Sequence, residues 1–241
     1  LEFVPKWTLA AGLGFEQSQL SVQTINYTAG AVSGRSGAER SFSNWAPELS
    51  VSWKPADGYR HWVRASTGYA IPGFGNLLTN PFTGLAGTNF DLKPQKNLNV
   101  EIGTESRLHK TLTVQLVGFV TFVKDEIITQ VVSNTGGQAA INADSSQYRG
   151  IELFYDWRPL DGLRLSGAYT QIDARYINFS DQFLAGGIPT AFVRDGKAVP
   201  NVPTDTINFK ESYDHAASGW GGWVEVNYMN SYFLNNNNTV G

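Results

Sequence analysis

Eight charged residues could do acid–base or electrostatic work: Glu101, Glu105, Glu152 and Asp156, together with Arg60, Arg64, Arg107 and Arg164. Paired carboxylates suit general acid–base catalysis when their separation is set and one pKa is shifted. The same residue types suit a hydrated wall crossed by salt bridges, and for residues spread this evenly the wall is the favoured reading. His61, His109 and His215 all stand in or beside short polar turns, and their spacing matches no metal-ligand motif. The chain has no cysteine, which excludes disulfides and thiolate metal sites. No serine sits in a G-x-S-x-G elbow, and the glycine-rich stretch 68–75 lacks the lysine and helix of a phosphate-binding loop. No catalytic residue, metal or cofactor is therefore expected.

The elements that must position these charges follow a beat. Apolar–polar alternating segments begin near Trp7, Tyr59, Thr111, Leu163 and Trp220, about 52 residues apart. Short polar turns precede four of them, at 54–58, 108–110, 158–162 and 215–219, and long connections rich in Gly, Asn, Ser and Thr separate the units. Alternation predicts nine strands: five leaving the short-turn end (7–17, 59–71, 111–124, 163–175, 220–233) and four returning (43–53, 95–107, 147–157, 203–213). No segment of comparable length has a helical period. The 241 residues, without a linker, point to one structural unit. The first residues do not read as a signal peptide, and the chain reads as a piece of something longer. A net charge of −3 argues against a general nucleic-acid binder.

Each strand has an apolar and an ionic side. Leu98, Val100 and Ile102 oppose Glu101, Glu105 and Arg107; Ile151, Leu153, Tyr155 and Trp157 oppose Glu152, Phe154 and Asp156. Val63, Ala65 and Tyr69 oppose Arg60 and Arg64, and Leu163 and Leu165 oppose Arg164. Two exceptions are Glu211, which shares parity with Ile207 and Phe209, and 117–123, which is apolar on both parities. A soluble sandwich would bury the apolar faces; a membrane barrel would turn them to lipid. Strand length favours the barrel: 11–13 residues tilted about 40° span about 28–33 Å, close to a bilayer's hydrocarbon layer. Soluble strands run to about five or six residues. The absence of any run of about 18 apolar residues is compatible with this, because barrel strands dilute hydropathy. The expected fold is all-β, an antiparallel up-and-down transmembrane β-barrel present as a partial barrel of about nine long strands.

Several segments resemble one family on this strand beat. Ala65-Ser66-Thr67-Gly68-Tyr69-Ala70-Ile71-Pro72 with Asn76-Leu77-Leu78, Leu92-Lys93-Pro94-Gln95 through Asn99-Val100-Glu101-Ile102-Gly103, Tyr148-Arg149-Gly150-Ile151-Glu152, and Pro200-Asn201-Val202-Pro203 are similar to TonB-dependent outer-membrane receptors. Gln95 stands where that pattern carries an acidic residue. The resemblance covers about residues 43–214 and implies a 22-stranded barrel with an N-terminal plug and a box for a periplasmic energiser. Neither plug nor box is found in 1–241, and no C-terminal strand ending in an aromatic is present. An odd count of nine strands then implies a middle-to-late portion of the barrel, with two open sheet edges. The implied location is the outer membrane of a Gram-negative bacterium. The implied partners are outer-membrane lipid, the plug of the same protein, a TonB-type energiser and a scarce nutrient, foremost a ferric siderophore. The ionic residues become a barrel lining that braces the plug.

Recognition is expected in the long connections 18–42, 72–94, 125–146 and 176–202, since loops on a rigid scaffold carry binding. Arg35, Arg40, Trp45, Phe74, Phe82, Tyr176, Phe179 and Arg194 are the arginines and rings there that suit an anionic, ring-bearing ferric chelate. Two rivals remain. An outer-membrane protease or lipase barrel needs a catalytic set at the outer rim, yet no histidine lies in a long connection. A soluble β-sandwich binding or adhesion module would be stable without detergent.

Overall fold

The computed structural model describes residues 2–132, 137–185 and 188–241, with side chains described except at 2–4, 24, 26, 33–38, 182–185 and 188–189. Strands β1 (Glu2–Val4), β2 (Trp7–Thr28), β3 (Ala31–Trp53), β4 (Tyr59–Ala70), β5 (Gln95–His109), β6 (Leu112–Val131), β7 (Gln138–Leu160), β8 (Leu163–Asn178), β11 (Asp205–His215) and β12 (Trp220–Met229) form one sheet in that order. Every pairing is antiparallel, so nine long strands make the expected up-and-down meander. A separate hairpin, β9 (Ser180–Ala185) with β10 (Ile188–Val193), is inserted between β8 and β11. The short turns 54–58, 110–111, 161–162 and 216–219 all lie at one end. Gly162 closes one of them at φ 79°, and a Cβ there would fall on the Asp214 carbonyl oxygen.

Three of the four long connections are largely strand. β2 and β3 continue their ladder through 18–42 to a two-residue turn, Ala29 and Gly30, at φ 51° and 82°. β6 and β7 pair through most of 125–146, and β9–β10 occupies part of 176–202. These stretches mix apolar and polar residues on both parities, so they carry no hydrophobic period. A backbone ladder needs none, because its hydrogen bonds are indifferent to which side chains flank them. Only 71–94 is mainly irregular, with one helical turn, α1 (Phe74–Leu77). It is pinned by Leu77 and Leu92, buried with Ala140, and by the Asn89 side-chain amide donating to the Ala140 carbonyl at 2.7 Å. Asn142 holds the same loop from β7: its Oδ1 accepts from Lys93 N at 2.8 Å and its Nδ2 donates to Lys93 O at 2.9 Å.

Register settles the faces, since directly paired residues share one. Val63, Ile102, Gly118 and Ile151 stand in one row; Arg64, Glu101, Phe119 and Gly150 stand in the next, on the opposite face. The apolar face is the exposed one: Ile102 is 65% exposed and Leu49 and Val63 are each 50% exposed. The ionic face is the sheltered one, where the Glu101 side chain is 20% exposed. A soluble sandwich requires the reverse. The stretch 117–123 is thereby resolved. Val117 and Val123 are buried on the ionic face, and Val120 and Phe122 belong to the apolar one. Glu211 does lie on the apolar face, four residues from the β11 end, in register with Leu165 and Val224.

Candidate functional site

The ionic face is a ladder of cross-strand contacts. Arg60 and Glu105 are direct register partners, 3.5 Å apart. Arg64 forks onto Glu48, with Nε to Oε1 at 3.0 Å and Nη2 to Oε2 at 2.8 Å, and stands 3.9 Å from Glu101. Trp62 Nε1 donates to Glu101 at 3.2 Å, so one carboxylate ties β4 to β5 twice. Towards the turns, Asp156 accepts from Arg164 Nε at 2.6 Å and lies 3.5 Å from Arg158. Arg107 is exposed beside the 54–58 turn, where its backbone N–H donates to Gly58. Glu152 shares the face, opposite Val117 and Thr170, without an ion-pair partner among the described residues. Most of these charges are paired across neighbouring strands, and Glu152 is the carboxylate left without an ion pair among the described residues. The described residues contain no group of three metal-ligating side chains.

The apolar face carries two aromatic levels on β2–β3. Trp7 stacks on Trp53 at 5.7 Å beside the short turn, and Phe15 packs on Trp45 at 4.6 Å eight residues further along β3. Eight residues at a 40° tilt rise about 20 Å, close to the height of a lipid-facing apolar band with its aromatic girdles. Trp45 is thus a girdle residue on the outward face, 60% exposed, rather than a residue of a recognition loop. Its position three residues past the expected loop, within alternating strand, is the signal that places it.

The remaining recognition candidates separate into two sets. Tyr176 and Phe179 are fully buried, 4.7 Å apart, in a small core with Ala143, Ala174 and Val199. Tyr176 Oη donates to Asn236 Oδ1 at 3.0 Å, and burial pushes its pKa above the ordinary tyrosine value. Arg194 is buried with Asp181; Nε donates to Oδ2 at 3.0 Å and both side chains are 8% exposed. Tyr176, Phe179 and Arg194 are packed among the outer segments, and Tyr176 and Arg194 also line a cavity there. Phe74 and Phe82 are exposed on the 71–94 loop, and Arg40 lies 5.1 Å from the centre of the Phe42 ring on the ionic face of the β2–β3 hairpin. The Arg35 side chain lies outside the described residues. Next to Tyr176 and Arg194 opens a cavity of about 730 Å³, lined by Gln130, Tyr148, Tyr176, Asp181, Arg194 and Asn236 among others. At its wall, buried Glu126 accepts hydrogen bonds from Ser146 and Tyr148. Sequence reading missed Glu126 because its partners lie twenty residues away across a hairpin with no apolar period.

The comparisons with known proteins agree with this geometry. The family model for the TonB dependent receptor-like β-barrel matches residues 1–240. The siderophore receptor PiuA from Acinetobacter baumannii superposes with a TM-score of 0.74 at 19% identity, over 99% of this chain and 33% of that one. The ferric yersiniabactin uptake receptor FyuA from Yersinia pestis gives 0.70 at 19% identity, over 99% and 34%. The hemophore receptor HasR from Serratia marcescens gives 0.65 at 15% identity, over 92% and 41%. At these identities the structures establish a shared fold, and the chain spans about a third of the length of the first two. With the family model covering nearly every residue of a wall whose apolar side faces outward, the chain belongs to the TonB-dependent receptor β-barrel family.

Proposed function

We propose that this chain is part of the wall and outer loops of an outer-membrane active-transport receptor in a Gram-negative bacterium. The receptor binds a scarce nutrient, foremost a ferric siderophore, and imports it with energy from the TonB system. The observation that carries this reading is the inverted face pattern: exposed apolar rows outside and a paired ionic ladder inside, on family strand order. The ladder suits a hydrated lumen in which Arg60, Arg64, Arg107, Arg164, Glu101, Glu105, Glu152 and Asp156 brace a plug supplied by the rest of the protein. Outer-membrane lipid meets the apolar rows.

Cargo recognition in this reading falls to residues of the outer end: half-buried Arg40 for anionic charge, exposed Phe74 and Phe82 for ring faces, with the cavity beside Glu126 as a polar annex. Similar folds named as siderophore and hemophore receptors support an iron-bearing cargo class. Binding of a panel of ferric chelates to the intact purified receptor, read by quenching of tryptophan emission, tests it. Saturable binding of one chelate, weakened in Phe82→Ala and Arg40→Ala, is the expected result. No binding across hydroxamate, catecholate and mixed-ligand chelates would overturn the ferric-siderophore assignment.

A further inference from the structure

Two lysines on the outward face stand directly opposite each other: Lys96 on β5 pairs with Lys124 on β6. Both are exposed, and neither has an ion-pair or side-chain hydrogen-bond partner among the described residues. Like charges in direct register destabilise a sheet, so this arrangement costs stability unless an anion sits between them. Lys93 joins them from the end of the 71–94 loop, and the three line an outward-facing cavity of about 620 Å³. Its lower part is apolar: Leu98 and Phe122, in register two residues below the lysines, are 41% and 48% exposed. Acidic groups are also present. Asp125 lies 3.6 Å from Lys93, and Asp144 is exposed on the cavity wall. Lys96 and Lys124 remain the uncompensated pair.

Depth identifies the ligand class. Phe122 is ten residues above the start of β6 and Leu98 eleven above the end of β5. At a 40° tilt these lie about 25–28 Å from the short-turn end, the top of a barrel's apolar band. Lys124 and Lys96 lie about 30–33 Å up, at headgroup level. Cations above apolar side chains, on the face that meets lipid, complement a molecule with anionic head and acyl tails.

We propose that Lys96 and Lys124 bind the headgroup phosphate of an outer-leaflet lipid, with its acyl chains against Leu98 and Phe122. The proposal rests on the outer-membrane reading above. The intact receptor in detergent is tested by native mass spectrometry against three probes: a diphosphorylated acylated glucosamine disaccharide, the same lipid enzymatically dephosphorylated, and inorganic phosphate. Retention of the phosphorylated lipid alone is expected. In Lys96→Gln/Lys124→Gln its affinity falls about 30-fold, about 2 kcal/mol at 1.4 kcal/mol per decade, while Lys110→Gln at the opposite rim leaves it unchanged. Equal retention of the dephosphorylated lipid, full competition by inorganic phosphate, or equal loss in Lys110→Gln would overturn the proposal. The probe comparison in the unmutated protein stands even where the double variant misfolds. A receptor that binds ferric chelate but retains no phosphorylated lipid refutes this inference and leaves the transport reading intact.

Discussion

Leu153 and Glu152 are adjacent on β7 and stand on opposite faces, which makes them a sharp test of which side meets lipid. Leu153 lies four residues from Trp157 near the short turn and four from Arg149 on the outer side, near mid-wall, in register with Leu116 and Tyr169. A lysine on the lipid face at that depth costs about 2–4 kcal/mol. That is a 30- to 900-fold loss in the ratio of folded to unfolded barrel. Glu152 faces the sheltered side, opposite Val117 and Thr170, and has no ion-pair partner among the described residues to lose. Reversing its charge should cost no more than about 0.5 kcal/mol, as at other hydrated positions. The assay is guanidinium-dependent folding of the intact barrel into short-chain lipid vesicles, read by heat-modifiable gel mobility. Leu153→Lys should lower the midpoint well below that of Glu152→Lys. Equal midpoints, or a larger loss in Glu152→Lys, would refute the face assignment.

Further outcomes follow from the same geometry. A Cβ at Gly150 would fall on the Gln171 carbonyl oxygen and 3.0 Å from Phe119, so Gly150→Ala should cost about 1–3 kcal/mol by forcing β7 and β8 apart, seen in the same folding assay. Asp181→Ala strands buried Arg194; breaking such a pair costs about 3–5 kcal/mol, and limited proteolysis on intact cells should show cleavage in the β9–β10 hairpin that the parent resists. The chain lacks cysteine, so single cysteines on β7 report environment: positions 152, 154 and 156 should react with a water-soluble maleimide and 151, 153 and 155 should not.

The wall was legible in the sequence where lipid imposes a period. Ile151, Leu153, Tyr155 and Trp157 alternate with Glu152 and Asp156 because one side must be apolar and the other hydrated, and the register places them so. Beyond the bilayer that constraint ends. Residues 18–42 and 125–146 have polar side chains on both parities and read as loops, yet their backbones pair as hairpins, β2–β3 standing roughly 35 Å past residue 17. Trp45 was placed with those loops although its partner Phe15 makes it a girdle residue. Tyr176, Phe179 and Arg194 are buried by contacts with Ala143, Val199 and Asp181 from distant segments, which no local pattern reveals, and Tyr176 and Arg194 still border the outer cavity. Phe74 and Phe82 kept the exposure expected of a loop because 71–94 is pinned by Leu77, Leu92 and Asn89 instead.

Energised import is tested most directly by uptake of radiolabelled iron. Iron-starved cells lacking the gene for the intact receptor should fail to take up the cognate ferric chelate. Restoring the gene should recover uptake, and collapsing the proton-motive force should abolish it while leaving surface binding in place. Uptake that is unchanged by deletion across the chelate panel, or that persists without the proton-motive force, would contradict the account.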